Sequence, residues 1–118
     1  MKTRLTQLLA SYQPRGIIKG RELCLPPTEA LNLANDLTAL GVAITGVDGW
    51  YYVDKDRGWL VQDLGTDFSV PDGVLRGPHS VHESAIVVKG FIASRLSKKT
   101  ELVSFSLDIP PDWDLFPQ

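Results

Sequence analysis

The sequence predicts a small α+β domain in which an at least partly antiparallel sheet of three or four strands carries about three helices on one face. Apolar residues recur at helical spacing in several segments, others have the composition or the alternation of strands, and a turn-forming run joins two strand segments into a hairpin. The 118 residues are the usual size of one domain, with residues 110–118 as an irregular tail.

The N-terminal segment has the apolar spacing of an amphipathic helix. Its predicted stripe consists of Leu5, Leu8, Leu9 and Tyr12, and the breakers Pro14 and Gly16 follow it. In residues 17–25, Gly20 interrupts an apolar pattern, so this stretch is compatible with either a short strand or an ordered loop.

A second helix is predicted after Pro26 and Pro27. Thr28 is expected to act as its N-cap, Glu29 suits the positive end of the helix dipole, and Gly41 closes the helix. Its apolar face consists of Leu33, Leu37 and Leu40.

Residues 42–53 have the composition of a strand, but Asp48-Gly49 admits two interpretations. The pair can form a two-residue hairpin turn, or Gly46 and Gly49 can mark a bulge in one bent strand. We favour the bent strand, because residues 54–58 are a better turn and lead into a partner strand at residues 59–64.

The last helix is predicted after a loop at residues 65–79 that contains several glycines and prolines. Ser80 and Glu83 have the spacing of a capping box, which predicts that the helix begins at Ser80. The buried stripe is expected to consist of Val81, Ala85, Val88, Ile92 and Leu96, with Arg95, Lys98 and Lys99 at the negative end of the helix.

The closing strand is predicted from a strict alternation of apolar and polar residues. Val103, Phe105, Leu107 and Ile109 alternate with Ser104, Ser106 and Asp108 until Pro110 and Pro111 end the strand. This pattern predicts one buried face and one face in solvent.

Charge and composition argue against several classes of protein. The net charge of −2 gives no reason to expect a nucleic-acid partner, and the apolar runs are far shorter than the roughly 18 residues of a membrane span. A single cysteine, Cys24, cannot form an internal disulfide, and no export segment is visible at the N-terminus, so we expect a cytoplasmic protein. The apolar neighbours of Cys24 predict a buried and inert thiol.

No catalytic, cofactor-binding or metal-binding set is recognisable. His79, His82 and Glu83 include potential zinc ligands, but histidine pairs that bind metal on a helix usually stand four residues apart, and His79 precedes the predicted cap. The Asp54–Gly58 run begins like a calcium loop but lacks the acidic ligands of its later positions. The chain has no nucleophile elbow and no phosphate-binding loop. We therefore expect no cofactor, no metal and no enzymatic activity.

The candidate site is a hairpin that combines aromatic and acidic residues. Residues 48–72 contain six aspartates against one lysine and one arginine. Aromatic side chains anchor interfaces and aspartates steer basic proteins, although these aromatics could instead complete the core beneath a helix. The predicted contact residues are Asp48, Trp50, Tyr52, Asp54, Asp56, Trp59, Asp63 and Asp67.

The run from Ala30 through Tyr52 joins a leucine-bearing helix to a strand with a Gly-x-x-Ile-x-Gly-x-Asp pattern, here Gly41, Ile44, Gly46 and Asp48. A later helix carries Phe91-Ile92, and a final strand covers residues 102–109. With these features the chain resembles small immunity proteins of bacterial polymorphic-toxin systems. The resemblance implies a cytoplasmic inhibitor that binds a toxin domain and performs no chemistry.

The leading hypothesis is a non-enzymatic protein-binding module, of the toxin-neutralising immunity type, that uses this hairpin against a basic toxin domain. One alternative is a small enzyme or ligand-binding domain with a pocket near His79 and His82. Another is a structural subunit that covers its aromatic residues in a homodimer. None of these hypotheses requires a membrane or a nucleic acid.

Overall fold

A computed structural model describes residues 1–67, 78–94 and 99–116, and within these ranges the chain has an α+β fold with antiparallel sheets. Its elements are α1 (Lys2–Tyr12), a 3-10 turn (Gln13–Arg15), β1 (Ile17–Lys19), β2 (Glu22–Cys24), α2 (Pro27–Leu40), β3 (Ile44–Asp54), β4 (Trp59–Asp67), α3 (Pro78–Ser94) and β5 (Leu102–Leu107). The predicted fold class is confirmed. Most of the predicted 65–79 loop, together with Arg95, Leu96 and Lys98, lies outside the described residues.

The main sheet has the strand order β4-β3-β5, and β1 and β2 form a separate hairpin. Residues 17–25, for which strand and loop both remained open, therefore form two short strands around Gly20, whose φ of 62° suits glycine in the turn. Beyond β2, Leu25 and Val103 exchange two backbone hydrogen bonds of 2.9 and 2.7 Å. This exchange ties the hairpin to the outer edge of β5.

The central strand β3 is one bent strand of 11 residues, as predicted. Its pairing with β5 shifts between Ile44 and Gly46, so β3 has an extra residue, Thr45, beside the first of the two predicted bulge glycines. At Gly49 and Trp50 the pairing with β4 also shifts, but there the extra residue, Asp63, lies on β4. The turn at residues 54–58 is also confirmed: Gly58 has a φ of 65°, and its N–H donates to the carbonyl of Lys55 at 3.2 Å. Asp54 Oδ1 accepts hydrogen bonds from the backbone N–H groups of Asp56 and Arg57 at 3.0 and 3.3 Å.

The main core lies between the helices and the sheet. The predicted stripe of α1 is confirmed, with Leu5, Leu9 and Tyr12 buried, and the hydroxyl of Tyr12 donates to Asp36 of α2 at 2.5 Å. The sheet contributes Ile44 and Val47 from the first half of β3 and Val103 and Phe105 from β5. The helices therefore cover β5 and the part of β3 that precedes Gly49.

Two predicted helix starts are wrong. The N-cap of α2 is Pro26 with Pro27 at the first helical position, so Thr28 lies inside the helix and does not cap it. Proline suits this position because it has no N–H to leave unpaired. The helix α3 begins at Pro78, which places Ser80 within the first turn instead of at the N-cap. Gly41 does close α2, with a φ of 86°.

The half-buried alternation predicted for β5 holds from Phe105 onward, where Ser106 and Asp108 are exposed, but it fails at Ser104, which is buried. Leu102, Val103, Ser104 and Phe105 are all buried, and the strand ends at Leu107, before Ile109. The physical reason is that the β1–β2 hairpin lies against the second face of the sheet at this point. Within the hairpin itself, a Cβ added at Gly16, just before β1, would lie 2.0 Å from the carbonyl oxygen of Cys24 in β2. Only glycine therefore allows the backbone at this position to lie so close to β2.

Candidate binding surface on the β3–β4 hairpin

The predicted contact residue Trp50 lies in the interior of the protein. Its side chain is 9% exposed and belongs to a second, smaller core with Cys24, Leu60 and Leu102. Its indole Nε1 donates to Ser104 Oγ at 2.9 Å, so the polar atom of the ring is satisfied internally. Trp50 is therefore not available as a surface contact, and Tyr52 packs, half-buried, against the same small core.

A polar network surrounds this small core. Ser104 Oγ accepts from Trp50 and lies 3.1 Å from Glu22 Oε1, to which its hydroxyl donates. Across the same face, Gln62 Nε2 donates to Asp48 Oδ1 at 3.0 Å. Burial, and then the nearby carboxylate of Asp48, raise the pKa of Glu22. The network connects the β1–β2 hairpin to β3 and β5, and it includes the predicted contact residue Asp48.

The single thiol lies beside this network and is unreactive. Cys24 is fully buried, and burial and the Glu22 carboxylate raise its pKa to about 12. Since the thiolate is the reactive form of cysteine, a thiol in this setting does not act as a nucleophile near neutral pH.

The far end of the β3–β4 hairpin exposes three large apolar side chains. Val53 is 61% exposed, Trp59 is 54% exposed and Val61 is 42% exposed. Trp59 and Val61 lie two residues apart on β4 and share one face, on which Val61 pairs with the half-buried Tyr51. We call Val53, Trp59 and Val61 the distal patch. The patch remains exposed because the main core engages β3 through Ile44 and Val47, at the other end of the hairpin.

The charged residues at the tip are engaged with one another and with the aromatic rings. Arg57 lies 3.6 Å from Asp54 and 4.9 Å from the centroid of the Trp59 ring. Lys55 lies 3.8 Å from Glu101 and 5.7 Å from the centroid of the Tyr52 ring. Asp54 therefore shapes the turn and pairs with Arg57, which leaves it less suited to steering a partner than the sequence predicted.

The remaining predicted aspartates occupy different settings. Asp56 is exposed in the turn and makes no ion pair with the described residues. Asp63 lies at the register shift of β4 and Asp67 pairs through its backbone with Gly46, but the side chains of both lie outside the described set.

The alternative pocket near the histidines finds no support among the described side chains. His82 is exposed on α3, and the side chain of His79 is not described. A cavity of about 110 Å³ lies elsewhere, under the C-terminal tail, and is lined mostly by apolar residues such as Leu9, Leu37 and Phe116. Among the described residues, no group of three His, Cys, Asp or Glu side chains is placed to hold a metal ion.

The chain matches no protein-family model, and comparisons with curated proteins and with solved structures found no match. In the described part of the chain, no helix has both the length and the apolar character that crossing a membrane requires.

Proposed function

We propose that this protein is a non-enzymatic protein-binding module of the immunity type that binds a basic partner, such as a toxin domain, through the distal patch. The observation that carries the proposal is the exposure of Trp59, together with Val53 and Val61, at one end of a hairpin. Tryptophan is the residue type most enriched among interface anchors, and its burial by a partner removes a large apolar area from water.

The patch is built on a well-defined support. Asp54 and Gly58 define the turn, and Arg57 lies over the Trp59 ring at 4.9 Å from its centroid. These contacts restrict the ring before any partner arrives, which lowers the conformational entropy lost on binding.

The charge of the hairpin favours a basic partner. Residues 48–67 contain five aspartates against Lys55 and Arg57, so the stretch carries a formal charge of −3. Opposite charge on a partner would accelerate association, with Asp56 as the most available acidic group at the tip.

The buried free thiol of Cys24 supports action in a reducing compartment, and we include the cytoplasm in the proposal on that basis.

The test is capture of a partner from the source cell with three forms of the protein: wild type, Trp59→Ala and Ile86→Ala. Ile86 is the matched control, because it is an apolar residue that is 59% exposed and lies on α3, outside the distal patch. We expect one partner to be captured by the wild type and by Ile86→Ala. Trp59→Ala should weaken binding of that partner by about 30-fold, corresponding to roughly 2 kcal/mol, mainly through faster dissociation.

Two outcomes would contradict the proposal. Equal binding of the captured partner by wild type and Trp59→Ala would remove the distal patch from the interface. Sedimentation that shows a stable dimer, dissociated by Trp59→Ala, would instead assign the patch to a second copy of this chain.

A further inference from the structure

The outer edge of β4 carries backbone groups that are not paired with any described residue. The strand is nine residues long, and within the described residues its neighbour is β3, on one side, since the sheet order there is β4-β3-β5. The opposite edge strand β5 differs, because Val103 exchanges two backbone hydrogen bonds with Leu25. Free edges of this length commonly recruit another strand.

The hydrogen-bond directions identify which groups of β4 face outward. The carbonyl of Trp50 accepts from the N–H of Glu101 at 2.8 Å and so points away from β4. Trp50 pairs with Gln62, and in an antiparallel ladder a pair whose groups point outward on one strand also points outward on the other. The N–H and carbonyl of Gln62 therefore face the outer edge of β4, as do those of Leu60 two residues earlier.

From this geometry, together with the charge of the strand, we propose that the partner adds an extended segment with alternating apolar and basic residues to the outer edge of β4. The inference rests on the proposed function and specifies its binding mode. Backbone hydrogen bonds to Leu60 and Gln62 would hold the added strand, and its apolar side chains would pack beside Trp59 and Val61.

Charge identifies a basic segment, and not a second copy of this chain, as the occupant. The strand β4 contains Asp63 and Asp67 and no lysine or arginine. Two copies paired through β4 would bring four aspartates onto adjacent strands, where like charges are destabilising. A segment with lysine or arginine at alternate positions would meet opposite charge instead.

The test uses a capped peptide of about eight residues that alternates valine and lysine, a length typical of a strand. We expect it to shift the backbone amide NMR resonances of Leu60 and Gln62 in the wild-type protein. A peptide that alternates valine and glutamate should bind at least about tenfold more weakly, because it repeats the negative charge of β4. Binding with equal affinity would overturn the charge assignment.

Two substitutions at one position separate the backbone from the side chain. Gln62→Pro removes the outward N–H, whereas Gln62→Ala removes only the side chain and its hydrogen bond to Asp48. We expect Gln62→Pro to weaken peptide binding by about threefold to tenfold relative to Gln62→Ala, the usual effect of one lost hydrogen bond. A valine–lysine peptide methylated at alternate amide nitrogens tests the same bonds with the protein unchanged, and it should not bind.

The failure of strand addition is distinguishable from the failure of the proposed function. If Trp59→Ala weakens the natural partner while Gln62→Pro binds it like Gln62→Ala, the patch binds through side chains alone and strand addition is wrong. Slow hydrogen exchange of the Gln62 amide in the free monomer would show that the chain covers its own edge. A dimer that Gln62→Pro dissociates would assign the edge to a second copy. Each of the last two results would overturn the inference.

Discussion

The two tryptophans of the β3–β4 hairpin have opposite environments. Trp50 is 9% exposed and donates its indole hydrogen to Ser104, whereas Trp59 is 54% exposed and lies beneath the guanidinium of Arg57. Trp50 is covered because the β1–β2 hairpin lies against its face of the sheet, and Trp59 lies beyond the elements that form the two cores. The same residue type therefore serves stability at one end of the hairpin and is available for recognition at the other.

The largest expected difference is in the stability of the two alanine variants. Trp50→Ala should lower the free energy of unfolding by about 3–5 kcal/mol, because it leaves a cavity and removes a hydrogen bond to Ser104. Trp59→Ala should cost less than about 1.5 kcal/mol, because more than half of that side chain is already in water. Urea unfolding of both variants measures the difference. Similar losses would contradict the assignment of separate roles.

The next largest effect is expected for the hydroxyl of Ser104, which joins Glu22 of the β1–β2 hairpin to Trp50 of the small core. Ser104→Ala should lower stability by about 1–3 kcal/mol, because the buried indole N–H of Trp50 and the Glu22 carboxylate lose a common partner. Ser106→Ala is the matched control on the same strand, since Ser106 is exposed. Equal unfolding free energies for the two variants would show that the network contributes nothing to stability.

A smaller effect should appear in the pH dependence. Burial, and then Asp48, raise the pKa of Glu22 above its ordinary value of 4.5, so between the unfolded-state and folded-state values the folded protein binds more protons. The contribution of this group to stability is therefore fully present below about pH 4.5 and is lost as the pH rises through the folded-state pKa.

Glu22→Gln removes this dependence. The slope of unfolding free energy against pH in the weakly acidic range should become more positive in Glu22→Gln than in the wild type. Chemical unfolding at a series of pH values measures both slopes. Parallel curves for wild type and Glu22→Gln would contradict the raised pKa.

The smallest effect is expected at the turn. Asp56→Asn should slow association with a basic partner by about twofold to threefold at low salt and leave dissociation unchanged, because an exposed charge acts mainly on the encounter. Asp112→Asn is the control, since Asp112 is an exposed acid in the C-terminal tail. Stopped-flow association rates at two salt concentrations test the prediction, and identical rates for all three proteins would remove Asp56 from the interface.

Local sequence signals were sufficient for much of the fold. The leucine spacing of α1, the closing glycine of α2, the turn at residues 54–58 and the bulge of β3 beside Gly46 each depend on a few neighbouring residues, and each was predicted. The helix starts were less predictable, because Thr28 and Ser80 have capping side chains, while the actual starts are at Pro27 and Pro78. In both helices a proline and a residue with a capping side chain lie within two residues of each other, and the local sequence does not show which of the two begins the helix.

Only the tertiary structure separated Trp50 from Trp59. Both lie in strands of similar composition, and their burial depends on contacts with residues far away along the chain. Ser104 follows the alternation of a solvent-facing position, yet it is buried against Glu22, 82 residues earlier. No local pattern encodes that contact, because the packing of the β1–β2 hairpin on the sheet creates it. The sequence by itself therefore determined the elements and the acidic, aromatic character of the hairpin, and long-range packing determined which of its residues remain exposed.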